Sequence, residues 1–430
     1  MPWRCAAPTV SQRVILLFLV CAVYAPPLAR AETLWSEFRG PTAQGHATAK
    51  GLPTEWSRQR NIVWRTELPG RAWSSPIVAN GRVFLTNAIP LEGGDDQKGI
   101  SLRVLAIEAP TGSVGWDSEV FSITDEVALK MVKKNSHASP TAVYENGRIY
   151  AHFGHYGTAC LDESGKVLWT NREHSLKPEH GTGGSPVVVG ELLIFTHDAN
   201  LSPGVVALDK STGRTRWRVD RPATAARNKF SFGTPLVIGA SGHEQVICQG
   251  SGIVQALAPQ DGREIWRLLC GTGFSVVPRP VHAHGMLYFS SGFTKAVGYA
   301  VRTDGRGDVT GTHVAWTATK HVSTSPSMVV AGDELYMLDD TGFLSCLDAR
   351  TGTEHYQERL LGPCTASLLF ADGHIYATDE RGKTAVVVAG KTFQVLAMNE
   401  LGEQTLASMA VCDNDLLIRT EKALYRVGRR

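Results

Sequence analysis

Five histidines stand where a chain of short strands would turn: His137, His155, His180, His197 and His321. Arg279, Lys229, Ser251 and Asp339 occupy equivalent places, and Trp73 and Tyr156 add two flat aromatic faces. Imidazoles, a guanidinium and an ammonium gathered at one mouth suit an anion, a metal ion or a polar polymer, and the aromatics suit a planar ligand. Catalytic spacing is missing. The chain has no HExxH, no Ser-His-Asp order and no phosphate loop. Gly181-Thr182-Gly183-Gly184 leads into a strand and not into a helix N-terminus, so it cannot cradle phosphate. The residues nominate a binding rim, with no catalytic residue and no metal ligand assigned.

What would bring such distant residues together is a repeat. A small residue and Pro open successive units at Ser75-Pro76, Ser139-Pro140, Ser185-Pro186, Thr234-Pro235 and Ser325-Pro326, with Arg279-Pro280 in the same role. Alternating apolar runs follow, then a turn containing Gly, as in Ser211-Thr212-Gly213, then a Trp. Trp64, Trp116, Trp169, Trp217, Trp266 and Trp316 are separated by 52, 53, 48, 49 and 50 residues, and Tyr356 takes the next such place. Four short strands in a unit of this length make a β-propeller blade, and a regular aromatic fills the gap between wedge-shaped neighbours. The units begin near 74, 138, 184, 233, 279, 324, 366 and 407, which predicts an all-β, eight-bladed propeller; seven blades follow if unit 7 or 8 is miscounted. The last unit stops after three runs, and Asn61–Arg65 is a Trp-bearing fourth run without its first three. The two ends are therefore expected to complete one blade and remove the open sheet edges.

Strand parity then sorts the polar residues. In an up-and-down blade, the entry to the first strand and the loop between the second and third strands share one rim. His137, His180, Lys229, Arg279 and His321 lie at entries; His155, Tyr156, His197, Ser251 and Asp339 lie in second-to-third loops. All should ring one mouth of the channel. Two segments stand outside the repeat. Residues 87–102 form an insertion with an acidic tip, and 124–135 have the capping residue, early acids and late lysines of a short helix on the same rim.

Gly makes up 43 of 430 residues, which fits a turn-rich β protein. Residues 1–31 carry Arg4 and Arg13, a twelve-residue apolar core from Val14 to Ala25, and Ala29-Arg30-Ala31 before Glu32, the pattern of a secretory signal. The apolar core is too short to span a bilayer, which takes about 20 residues, and nothing later is long enough. A periplasmic or secreted protein is expected, made of a signal (1–31), an extended arm (32–60) and one propeller (61–430), and expected to be a monomer. Without the leader, 40 basic residues face 41 acidic ones, which disfavours nucleic acid and anionic membrane surfaces. The six remaining cysteines (Cys160, Cys248, Cys270, Cys346, Cys364 and Cys412) are scattered, with neither CxxC nor CxxCH.

The unit of small residue, Pro, two β-runs and Ala-Leu-Asp-x-x-Thr-Gly-x-x-x-Trp, best seen from Val206 to Trp217, resembles the pyrroloquinoline quinone repeat. That repeat occurs in quinoprotein alcohol dehydrogenases and in the non-catalytic assembly lipoprotein BamB. Phe38-Arg39-Gly40-Pro41, Asn135–Pro140 and Ser275–Pro280 resemble the secreted propellers abundant in planctomycete-type bacteria. The resemblance implies the propeller fold. It also raises a quinone with Ca²⁺ as an alternative to a chain that binds no cofactor. The dehydrogenases often carry adjacent bonded cysteines, which this chain lacks. The expected function is an exported, non-catalytic scaffold whose rim takes a protein partner or a small polar or anionic ligand, with a role in envelope or outer-membrane protein assembly among the readings. A quinone-dependent dehydrogenase, or another enzyme using the same rim, is the alternative.

Overall fold

Alternating apolar side chains force each run to bury one face, and the runs pair as short antiparallel strands. A computed structural model describes residues 1–6, 34–92, 98–126, 129–176 and 179–429, so most of the segment expected to be a signal and the tip of the insertion lie outside the described residues. Eight four-stranded antiparallel units follow in chain order: 77–123, 143–171, 187–220, 236–269, 281–318, 329–359, 369–400, and 410–427 completed by Ile62–Glu67. These are blades 1 to 8 of a closed β-propeller. First strands of neighbouring blades meet around the axis, including those of blades 8 and 1. The closing strand pairs antiparallel with Ala423–Val427, Trp64 lying opposite Arg426.

The tryptophans lock blades pairwise. Trp64, Trp116, Trp169, Trp217 and Trp316 each donate Nε1–H to a backbone carbonyl of the following blade, at 2.8–3.1 Å. The Gly of that blade's turn lies under the indole. A β-carbon on Gly112, Gly165 or Gly352 would come within 2.7 Å of the ring of Trp64, Trp116 or Trp316, and all three glycines have φ between +75° and +86°. The Thr-Gly turn is thus set by the neighbour's Trp as well as by its own backbone. Gly112→Ala should lower the urea midpoint by the equivalent of about 2 kcal/mol, from backbone strain and displacement of Trp64. Trp266 departs from the pattern: its Nε1 donates to Gln245 Oε1 within blade 4. Blade 5 has Thr303–Thr312 where the turn would be, and Gly307–Asp308 pairs parallel to the outer strand of blade 4.

One sequence expectation is refined and one corrected. Both ends of the insertion of blade 1, residues 87–90 and 100–102, extend its second and third strands, which pair from Arg82–Glu108 to Pro90–Ile100. In 124–135 the described residues form isolated turns, Leu129 N–H to Asp125 and Asn135 N–H to Val132, and no helix. A twelve-residue helix is marginal by itself, and this segment is claimed by tertiary bonds: Arg71 donates to Lys133, and Asn135 Nδ2 to the carbonyls of His180 and Thr182.

The arm before the closing strand is part of the architecture. Trp35 exchanges backbone bonds with Val78 of blade 1, and Ser36 accepts from Tyr144 of blade 2. Arg39 then reaches blades 6 and 7, Gln44 accepts from His282 of blade 5, and His46–Ala47 adds a parallel strand to blade 7. Trp35, Leu52 and Trp56 are buried. The bonds to Val78, Tyr144 and His282 fall within first strands, and those of Arg39 one residue before them, all beyond the belt position, so the arm lies on the face opposite the entry rim.

Candidate functional site

Two residues before each first strand lies one position of every blade: Ser75, Thr141, Ser185, Thr234, Arg279, Ser327, Ser367 and Ser408. Seven are hydroxyls. Six backbone N–H groups of this set donate to the side-chain oxygen of the next blade: Ser75 to Thr141, Thr141 to Ser185, Ser185 to Thr234, Arg279 to Ser327, Ser327 to Ser367, and Ser367 to Ser408, all at 2.9–3.1 Å. The openings at Ser139-Pro140 and Ser325-Pro326 therefore stand two residues early. In those blades Thr141 and Ser327 take the shared position. Among the described residues no hydroxyl of this belt donates a bond to protein, which leaves their protons for the channel.

A second layer lies two residues nearer the mouth: Trp73, Ser139, Gly183, Phe232, Val277, Ser325, Thr365 and Leu406. Both layers, except Arg279, line a cavity of about 320 Å³, with Phe38 of the arm as its floor and Val132, Lys134, Asn135, His180 and Thr182 about its mouth. No Asp or Glu is among these lining residues. Two lining residues carry unpartnered buried atoms, Trp73 Nε1 and Thr182 Oγ1.

The rim residues selected from sequence fare differently. Trp73 and His180 line the cavity; Trp73 packs under Arg71, and His180 meets Phe230 edge-on. His137 is buried, its Nδ1 2.5 Å from Tyr156 Oη, and Tyr156 is buried against His155. His321 stacks on Phe343 and its Nδ1 lies 2.7 Å from Asp339 Oδ2. Burial would raise the Asp339 carboxyl, yet bonds from Phe343 N–H, His321 and Thr341 outweigh it and hold the group low. Ser251 donates to Phe230, and Lys229 is held by Thr224. Arg279 does not face the mouth. Its buried guanidinium turns down to Glu37 Oε2, Phe38 and Pro235, so it clamps the arm.

His155 and His197 belong to a smaller cavity of about 60 Å³ between blades 2 and 3, which also includes His152. His197 Nε2–H donates to the His174 carbonyl, and its Nδ1, buried, has no partner. Burial pushes His197 down to about 4 and His152, stacked on Phe195, down to about 3. Both are neutral in the fold. Below about 6.5 the unfolded chain binds protons that the native state refuses, so stability falls with pH between 7 and 5 by about 2 kcal/mol for each. Urea unfolding across that range should show this slope, and His197→Gln should make it shallower.

Cys160, Cys248, Cys270, Cys346 and Cys364 are buried free thiols, Cys412 is buried as well, and burial pushes Cys248 and Cys270 up to about 12. No group of three or more His, Cys, Asp or Glu among the described residues could hold a metal ion. A Ca²⁺ beside a quinone takes six to eight oxygen ligands, carboxylates prominent among them. The only side-chain oxygens among the lining residues are hydroxyls and one amide, without a carboxylate, so they do not fit that pair.

Fold and channel together define a closed eight-bladed propeller of quinone-repeat units with a blind, hydroxyl-lined axial cavity. The chain belongs to the family described as outer membrane protein assembly factor BamB, whose pattern matches residues 101–308 and 306–404. No curated protein matches it in sequence. BamB from Moraxella catarrhalis is similar in structure, at 14% identity and TM-score 0.57, over 85% of this chain and 99% of that one. Quinohemoprotein alcohol dehydrogenase ADHIIG from Pseudomonas putida HK5 is similar at 11% identity and TM-score 0.62, over 92% and 80%. A europium-containing methanol dehydrogenase is similar at 11% identity and TM-score 0.55, over 90% and 89%.

Proposed function

We propose that this protein is an exported, non-catalytic binding propeller that receives its ligand through the open mouth of the axial cavity. The observation that carries this reading is the belt of seven hydroxyls whose protons are unused within the protein, in a cavity closed at one end by Phe38. A row of donors on a rigid ring binds and orients; it supplies no nucleophile, base or metal. Residues on rim loops favour a protein partner on the same face. Leu201 is 91% exposed and Phe293 51% exposed, more apolar surface than loops on an isolated propeller need. The family's association with outer-membrane assembly supports a partner in the cell envelope.

Purified protein given pyrroloquinoline quinone and Ca²⁺ tests the reading against the quinone-dependent alternative. The expected result is no dye-linked oxidation of alcohols or sugars above the buffer rate. Turnover that requires the quinone would overturn the proposal. Export is tested by sequencing the N-terminus of protein recovered outside the cytoplasm, which should begin at Glu32.

A further inference from the structure

Buried arginines in this molecule generally have a carboxylate. Arg221 is bidentate to Asp198, Arg426 meets Asp413 and Asp415, Arg103 meets Asp117, and Arg279 meets Glu37. Arg39 and Arg419 break the rule. Each is 2% exposed, and among the described residues neither has an acid within ion-pair distance. Arg39 donates from Nη2 to the carbonyls of Met328, at 2.6 Å, and Leu368, at 3.3 Å; its Nε and Nη1 have no partner. Arg419 donates to Ser74, Thr86 and Asn87, all neutral, and its Nε has no partner. A buried charge without a counter-charge is costly and is ordinarily neutralised. Burial pushes both guanidiniums down to about 9, with the like charge of Arg279 adding to the effect on Arg39.

Neither arginine is itself a lining residue of the axial cavity, but each bonds residues that adjoin its belt. Met328 and Leu368 directly follow the belt hydroxyls Ser327 and Ser367, which sets Arg39 beneath the belt beside Phe38. Ser74 lies between Trp73 and Ser75, which sets Arg419 behind the opposite wall. At the mouth stand Lys134, bonded to Glu380, and His180. The lining is rich in donors and carries no carboxylate of its own; Glu380, held by Lys134 and Thr365, and Asp340, held by the Ser325 N–H, lie just outside it, and the two uncompensated cations lie behind its wall. Its outer layer is half apolar, through Trp73, Phe232, Val277 and Leu406.

Resting on the reading of the channel as a ligand site, we propose that the ligand is a small organic anion: a carboxylate seated on the hydroxyl belt, with an apolar or aromatic body against Trp73 and Phe232. The bound carboxylate supplies the counter-charge that Arg39 and Arg419 lack.

Sodium benzoate and its neutral counterpart benzamide, titrated into the full mature chain by calorimetry at millimolar concentration, test this. Benzoate should bind at least about tenfold more tightly than benzamide. Ser325→Trp, which fills the outer layer from a half-exposed position, should abolish benzoate binding, and Arg39→Gln should weaken benzoate without changing benzamide. If Arg39→Gln does not fold, loss of benzoate affinity on raising chloride in the wild-type protein reads the same charge. Equal binding of both probes, abolished by Ser325→Trp, would overturn the anion assignment and leave the channel reading standing. Benzoate binding that survives Ser325→Trp would overturn both. Absence of any benzoate binding would overturn the anion assignment.

Discussion

Deleting residues 32–66 is expected to abolish cooperative unfolding. The loss has three parts. The outer strand of blade 8 goes, exposing the edge of Ala423–Val427. Trp35, Leu52, Trp56 and Trp64 go from the core beneath blades 7, 8 and 1, and large buried side chains are each worth about 3–5 kcal/mol. Arg279 keeps its buried charge while losing Glu37 and the Phe38 carbonyl. These losses together exceed the roughly 5–15 kcal/mol that holds a typical domain folded. Circular dichroism on urea titration should show a broad, non-cooperative change or aggregation. A sharp transition at the wild-type midpoint would refute the closure by the N-terminal strand.

Asp198→Asn should have the largest effect of any single substitution near the rim. The Asp198 carboxylate has no exposed side-chain surface and Arg221 only 3%, and the two are joined by bonds of 3.1 and 3.0 Å. Arg221 also donates to the carbonyls of Cys248 and Gln249 and to Gln255, tying blade 3 to blade 4. Removing the carboxylate leaves a buried guanidinium unpaired, at about 3–5 kcal/mol. The double variant Asp198→Leu with Arg221→Met should recover much of that, because the desolvation of both charges disappears with them. A double-mutant cycle by urea unfolding measures the coupling. A near-zero coupling energy would mean that the pair contributes nothing beyond its separate packing.

The fold was readable because its determinants recur. Trp and a Gly turn return every 50 residues or so since five of the blades present an indole to the next blade's turn, and repetition made a structural role evident without coordinates. The site was less legible. Strand parity put the entries and loops on one rim, but it says nothing about where a side chain points once there. His137 and His321 turn into local partners, and Arg279 turns through the ring to the arm. The belt hydroxyls were hidden by a marker that drifts: Pro precedes the shared position in blades 2 and 6 and follows it in blades 1, 3, 4 and 5. Arg39 gave no periodic signal because the arm occurs once. Its importance comes from what surrounds it, namely carbonyls and a second cation, and those neighbours come from blades 5 to 7.

Two joints that recur between blades point the same way around the ring. An indole N–H reaches forward to the next blade's carbonyl, and a backbone N–H reaches forward to the next blade's hydroxyl. Each unit is therefore a plug on one side and a socket on the other, like links of a single pattern. Excising blade 3, or copying it in tandem, would bring together faces that already match. Nothing in the joint chemistry counts to eight; the number is fixed by the wedge angle of the sheets and by the arm that spans the floor.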